Sequence, residues 1–303
     1  MDLPILDFDQ YRSGDKAGFA AGFGAAARGP GFLFLKNHGL TTGLIERVFA
    51  QSSAFFAQPE EIKRARAIGP ETNNRGWAYL GSESLDDTSD QIDQKEAFNI
   101  GWDLSPDDPR VLKAEPFRGV NLWPDLPGFK STLLDYFGQV HQLGVEMMRA
   151  AALDLGLPET RFDDDFDEPL ATLRLLSYPA ATGTEGAIGA GAHTDYGALT
   201  FLLTDGTAGL QVKPRDGDWI DAPVVPDAFV VNIGDCLMRW SNDTYVSTPH
   251  RVLPPPKPRQ SIAFFLDPNP EALIEALPGT GTAKYPPTTG ARYLRERLEA
   301  TYG

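Results

Sequence analysis

Between residues 171 and 266 the chain breaks into short β-rich runs separated by turn-forming residues, and this limits the folds open to it more than any other feature. The runs are 171–178, 198–203, 209–212, 219–220, 228–233, 237–240, 250–253 and 260–266. They are rich in β-branched, leucine and aromatic residues and are short enough for strands. Asp216-Gly217 is a two-residue hairpin signal between the third and fourth runs. Gly234-Asp235 closes the run 228–233, after which 237–240 reads as an antiparallel return. The proline-rich segment 254–258 joins the last two runs as a loop, because proline cannot donate to a ladder. About eight short strands in roughly a hundred residues is the pattern of a double-sheet jelly roll or barrel. The mouth of such a barrel can gather side chains from different strands around one pocket.

Candidate metal ligands fall inside this region. Alternate side chains of an extended segment share a face, so His193 and Asp195 can point at one ion, and His250 opens the run 250–253. Two imidazoles and one carboxylate leave positions free for substrate and O₂, which suits non-haem Fe(II), although zinc accepts the same donors. Arg259 and Ser261 repeat the i, i+2 spacing, so a guanidinium and a hydroxyl can converge on one carboxylate. The planar fork of arginine makes two parallel bonds to such a group, which lysine cannot do. Each motif alone is common by chance. Their arrangement along one series of strands is what gives them weight.

The N-terminal half reads as more helical, with helices expected over 15–27, 42–56 and 128–155. In the last of these Phe129, Leu133, Phe137, Val140, Met147 and Ala151 recur mostly every three or four residues, and Gly156 and Pro158 supply the stop. That face is expected to pack on the outside of the barrel. His141 lies beside it with no ligand partner one turn along and reads as structural. His38, between Asn37 and Gly39, reads as a loop former. Residues 67–127 are rich in polar, Gly and Pro positions and are expected to form loops over the barrel mouth. Arg75, Trp77, Tyr79, Phe98, Trp123 and Tyr196 are the candidate substrate-pocket residues, with Arg75 leaning towards a loop tie.

With 303 residues and 42% apolar content the chain can bury one sizeable core, so a single domain is expected over 1–303. It divides into a mostly helical part with active-site loops (1–165), a jelly-roll core (166–270) and a helical tail (271–303). The lone cysteine, Cys236, cannot form an internal disulfide, which fits a reducing compartment, and it reads as packing beside a strand turn. There is no basic start followed by an apolar run, and no stretch of about eighteen apolar residues, so a cytoplasmic location is expected. The net charge of -15 opposes nucleic acid or anionic membrane as partner. The acidic run 163–165 reads as solvated loop charge.

Ordered blocks along nearly the whole chain carry a resemblance. They include LPILDF at 3–8, GFLFLKNHG at 31–39, FFAQP at 55–59, RG at 75–76, KEAF at 95–98, NLWP at 121–124 and PGF at 127–129. Further on come SYP at 177–179, GAHTDYG at 191–197, NIGD at 232–235, RWSN at 239–242, STPHRV at 247–252 and RQS at 259–261, then YPP at 285–287 and YLRER at 293–297. The chain resembles the isopenicillin N synthase-like group of Fe(II)/2-oxoglutarate-dependent oxygenases. The resemblance implies that His193, Asp195 and His250 bind Fe(II), and that Arg259 and Ser261, with Tyr178 a further candidate, hold the distal carboxylate of 2-oxoglutarate. It also implies O₂ as co-substrate, release of succinate and CO₂, oxidation of a small molecule (hydroxylation above all), and a monomer. Two alternatives stay open. One is an oxidase of the same group that uses iron and O₂ without 2-oxoglutarate; the other is a non-catalytic barrel that binds an acid or a partner protein.

Overall fold

The computed structural model describes residues 2–86, 92–181, 188–215 and 217–302; Asp216 of the expected hairpin lies outside them. Among the described residues the larger sheet takes β1 (Ile5–Asp7), β2 (Phe32–Lys36), β3 (Gly76–Ala78), β4 (Glu96–Gly101), β5 (Thr172–Tyr178), β7 (Leu199–Thr204), β10 (Ala228–Ile233) and β12 (Arg259–Leu266). Their order is β1-β2-β10-β7-β12-β5-β4-β3. The smaller sheet orders β6 (Ala190–His193), β11 (His250–Val252), β8 (Leu210–Val212) and β9 (Ile220–Asp221) as β6-β11-β8-β9. Phe32 and Phe34 of β2 pack with Leu210 and Val212 of β8, and Leu176 of β5 packs with Val252 of β11, so the two sheets face each other. This is the jelly-roll core.

Strand alternation assigns the two faces of the larger sheet different tasks. Phe98, Leu173, Phe264, Phe201 and Phe229 point outwards into one continuous core with the helices. Asn99, Arg174, Ser261, Thr200 and Asn232 point inwards, towards the smaller sheet. The outer face is covered by the helices Lys16–Arg28, Thr42–Phe56 and Phe129–Asp154, as their apolar periodicity requires. Asp15 and Thr41 cap the first two by accepting from the Gly18 and Leu44 amides. Phe137 of the third meets Phe264 edge-on at 5.0 Å between ring centroids. The helix expected over 128–155 therefore lies outside the barrel, as its spacing suggests.

Two expectations are corrected. Residues 237–240 are not a strand: they belong to the helix Asp235–Trp240, with Cys236, Leu237 and Trp240 buried. A four-residue apolar run has no period to distinguish helix from strand, and Gly234 favours the helical start. A Cβ on Gly234 would collide with the Gly197 carbonyl, so glycine lets the chain turn against the 195–197 segment. Residues 67–127 are not all loop, because β3 and β4 extend the larger sheet from its β5 edge. The inward positions of β4 are Ala97, Asn99 and Gly101, all small or polar, with Asn99 and Gly101 on the cavity, and this hid the strand. The helix 290–302 closes the chain, within the expected tail.

Phe98 sits 4.4 Å from Phe55 and 5.6 Å from Phe129, centroid to centroid, and is fully buried. Phe98→Ala is expected to lower stability by about 3–5 kcal/mol in urea denaturation, with ligand affinities of the folded protein unchanged. A variant of native stability with altered substrate affinity would return Phe98 to the pocket.

Candidate metal centre

His193 ends β6 and His250 begins β11, and the antiparallel register pairs them directly. Their ring centroids are 4.3 Å apart. Asp195 lies two residues beyond His193, in the turn between the sheets, where its carbonyl accepts from the Asp235 amide at 2.7 Å. One ligand atom from each of the three residues lies within 4.8 Å of the others. Nδ1 of His193 is 2.7 Å from the Gly191 carbonyl, and Nδ1 of His250 is 3.3 Å from the Thr248 carbonyl. A carbonyl can only accept, so each Nδ1 carries a proton, and in the neutral ring each Nε2 keeps its lone pair. Both Nε2 atoms face Oδ1 of Asp195, at 3.8 and 3.7 Å. These separations are too long for hydrogen bonds. Oδ2 of Asp195 instead accepts from Thr200 Oγ1 at 2.6 Å and from Asn232 Nδ2 at 2.8 Å. Three donor atoms therefore converge with no hydrogen bond between them, an arrangement a divalent cation satisfies.

Arg259 and Ser261 share the inner face of β12 and are both buried. Arg259 Nη1 is 3.4 Å from Ser261 Oγ, and its Nε donates to the Thr207 carbonyl at 3.2 Å. Tyr178, opposite Arg259 in the β5–β12 register, places its ring 4.9 Å under the guanidinium. These three line the same cavity of about 190 Å³ as the histidine pair and Asp195.

Of the substrate-pocket candidates, Arg75 and Tyr196 reach this cavity. Arg75 also ties its loop, donating to the Asn73 and Phe117 carbonyls. Trp77, Tyr79, Phe98 and Trp123 do not line it. Trp77 pairs with Phe98 in register and shares its outward face; Trp123 packs on Phe129 with its indole donating to Asp103, and Tyr79 is half exposed. His141 bonds the Phe166 carbonyl and His38 accepts from the Leu40 amide, both structural roles. Asp163 and Asp165 pair with Arg149 and Arg161, so that run is ion-paired as well as solvated. Sequence reasoning missed Thr200, Asn232, Lys95, Arg174, Phe265 and the helix residue Leu298 as cavity residues. A polar residue at an inward strand position was the available signal for Thr200, Asn232 and Arg174.

Comparison with known proteins agrees with this geometry. Residues 3–126 match the family described as non-haem dioxygenase in morphine synthesis N-terminal, and residues 169–268 match the 2OG-Fe(II) oxygenase superfamily. The chain is 34% identical to the 2-oxoglutarate-Fe(II) type oxidoreductase hxnY of Emericella nidulans, over 99% of this chain and 90% of that protein. The chain belongs to the 2-oxoglutarate/Fe(II) oxygenase superfamily. This oxygenase superposes on a full-length Neurospora crassa protein, solved in complex with alpha-KG and thymine, with a TM-score of 0.88 and 38% identity over 99% of this chain and 97% of that one. It is also 34% identical to homoarginine-6-hydroxylase 2-ODD-233 of Oryza sativa, over 90% of this chain and 86% of that protein. It is an Fe(II)/2-oxoglutarate-dependent dioxygenase.

Electrostatics prepares the oxygenase for its metal. Burial and the adjacent His250 hold the His193 imidazole well below the usual histidine range, so it is neutral at physiological pH. Burial opposes ionisation of Asp195, but positive charge on a protonated His250 or His193 and the hydrogen bonds from Thr200 and Asn232 outweigh it and keep the carboxyl below its ordinary value. Asp267, at the cavity wall, is pushed up to about 7 by burial and by the charge of Asp195. The folded protein thus holds a proton on Asp267 that the unfolded chain releases near 3.8, and stability from this group falls as pH rises from about 4 to 7. In the metal-free protein Asp267→Asn is expected to gain stability over wild type at pH 7 and above, and to lose that advantage below about pH 4. Urea midpoints across the range measure this; an advantage independent of pH would contradict it.

Proposed function

We propose that His193, Asp195 and His250 hold Fe(II) in this dioxygenase and that Arg259 and Ser261, with Tyr178 beneath the guanidinium, hold the distal carboxylate of 2-oxoglutarate. The reading rests on the convergence of two Nε2 atoms, each with its Nδ1 tied to a backbone carbonyl, on the Asp195 carboxylate. When bound, iron and 2-oxoglutarate supply oxidative decarboxylation with O₂, giving succinate and CO₂ and oxidising a substrate, above all by hydroxylation. The chain's own contribution is placement. The carbonyls of Gly191 and Thr248 fix the imidazole tautomers, and Thr200 and Asn232 fix the carboxylate.

We further propose a small substrate that is neutral or anionic. Among the described residues, the charged groups lining the cavity are Arg75, Lys95, Arg174, Asp195, Arg259 and Asp267. Lys95 pairs with Asp93 and Glu83, and Arg174 pairs with Glu83, so these charges are compensated. With Asp195 on the metal and Arg259 on the cofactor, the groups left to a substrate are Arg75 and Asp267, a carboxyl that burial pushes up and that the Arg75 charge offsets where it ionises. No surplus negative charge remains among them for a cation such as homoarginine. A neutral molecule such as thymine fits this charge balance better, in a cavity to which Tyr196 and Phe265 contribute aromatic surface.

Two measurements test this. Succinate release across a panel of small molecules is expected to be stimulated by neutral or anionic compounds, one succinate per substrate oxidised; stimulation by cations alone would overturn the charge argument, and oxidation without succinate would favour the oxidase that uses no 2-oxoglutarate. Arg259→Ala is expected to weaken 2-oxoglutarate by about 3 kcal/mol, on the order of a hundredfold, because a charge-assisted contact is lost. Its iron affinity should stay unchanged, and equal weakening of both would contradict the assignment.

A further inference from the structure

A chain of four ionic side chains, two fully and two largely buried, runs from the cavity lining to the hydrogen bond that orients His193. Arg174, inward on β5, pairs with Glu83; Glu83 pairs with Lys95 at 3.3 Å; Lys95 pairs with Asp93. Asp93 Oδ1 accepts from the Gly191 amide at 2.8 Å, and the Gly191 carbonyl bonds His193 Nδ1 at 2.7 Å. The Asp93 and Lys95 side chains are 0% and 2% exposed. Burying four charges is costly unless every partner is in place. A surface ion pair would knit this loop to the sheet at far lower cost.

The segment carrying Asp93 has a second hold on the same strand. Asp93 bridges Ile188, and the Gln94 amide donates to the Ile188 carbonyl at 2.9 Å. β6 is an edge strand of the smaller sheet, paired on one side with β11 through an irregular register. Its other side is held by this loop, and the point of attachment, Gly191, is two residues from His193. Burial opposes ionisation of Glu83, yet Arg174 and Lys95 hold its carboxyl at about 2, consistent with a fully charged network.

We propose that Asp93, clamped by Lys95 and through it by Glu83 and Arg174, is a positioning residue for the metal centre: it fixes the Gly191 backbone so that His193 presents Nε2 to the ion. The inference rests on the ligand set proposed above. Because Arg174 also lines the cavity, the same network joins the cavity wall to one proposed metal ligand.

Co(II) is the probe, read by its d–d absorption and by equilibrium titration, both independent of turnover. Asp93→Asn is expected to weaken Co(II) by about 10- to 100-fold and to change the shape of the d–d spectrum, with the fold retained by circular dichroism. A loss of thermal stability with Co(II) affinity within about twofold of wild type and an unchanged spectrum would overturn the proposal. If Asp93→Asn does not fold, Glu83→Gln breaks the chain one link away; several-fold weaker Co(II) is then expected, and unchanged affinity overturns the proposal. Asp195→Ala, run in parallel, separates the two readings: Co(II) binding that survives it refutes the ligand set, whereas Asp93→Asn judges the positioning role alone.

Discussion

A carboxylate buried between two sheets is unstable unless its environment replaces the water it has lost, and Asp195 is such a group. Thr200 on β7 and Asn232 on β10 each give it one hydrogen bond, so the larger sheet holds one of its oxygens. The other oxygen faces the two imidazoles of the smaller sheet. Both sheets therefore meet at this residue. The register of β6 against β11 brings the histidines together, and the backbone carbonyls behind them set their tautomers. Remove the anion and the cluster has lone pairs without the charge that draws a cation in.

The same alternation that places these groups separates fold from function in the larger sheet. One face is almost wholly aromatic and aliphatic and is covered by the three long helices of the N-terminal half. The other carries the clamp, the supports of Asp195 and the ionic chain that begins at Arg174. A rigid outer core lets the inner face be polar without loss of order.

The clustering of the proposed metal ligands and clamp residues was legible in the sequence because their spacing maps directly onto strand geometry: Arg259 and Ser261 do share a face, and His193 does end a strand. The long helix was legible from its period. What failed did so for physical reasons. Leu237 to Trp240 is too short to show a period, and only the close approach of Gly234 to Gly197 reveals the helical turn. β4 was masked because its inward residues are small or polar, and Trp77 and Phe98 were drawn to the pocket because aromatic residues often line one. The phase of the strand decides otherwise: with Asn99 inward, Phe98 must face the helices. The Asp93–Lys95 pair could not be read at all, since its meaning depends on Gly191, distant in sequence.

The central claim is that His193, Asp195 and His250 bind Fe(II) and leave two positions for 2-oxoglutarate. Anaerobic addition of Fe(II) and 2-oxoglutarate, followed by visible absorption in the region of the weak metal-to-ligand charge-transfer band, tests it most directly in wild type and Asp195→Ala. The account predicts a band in the wild type that is absent from the variant. Iron bound to the wild type without a band, or a band that persists in Asp195→Ala, would contradict it.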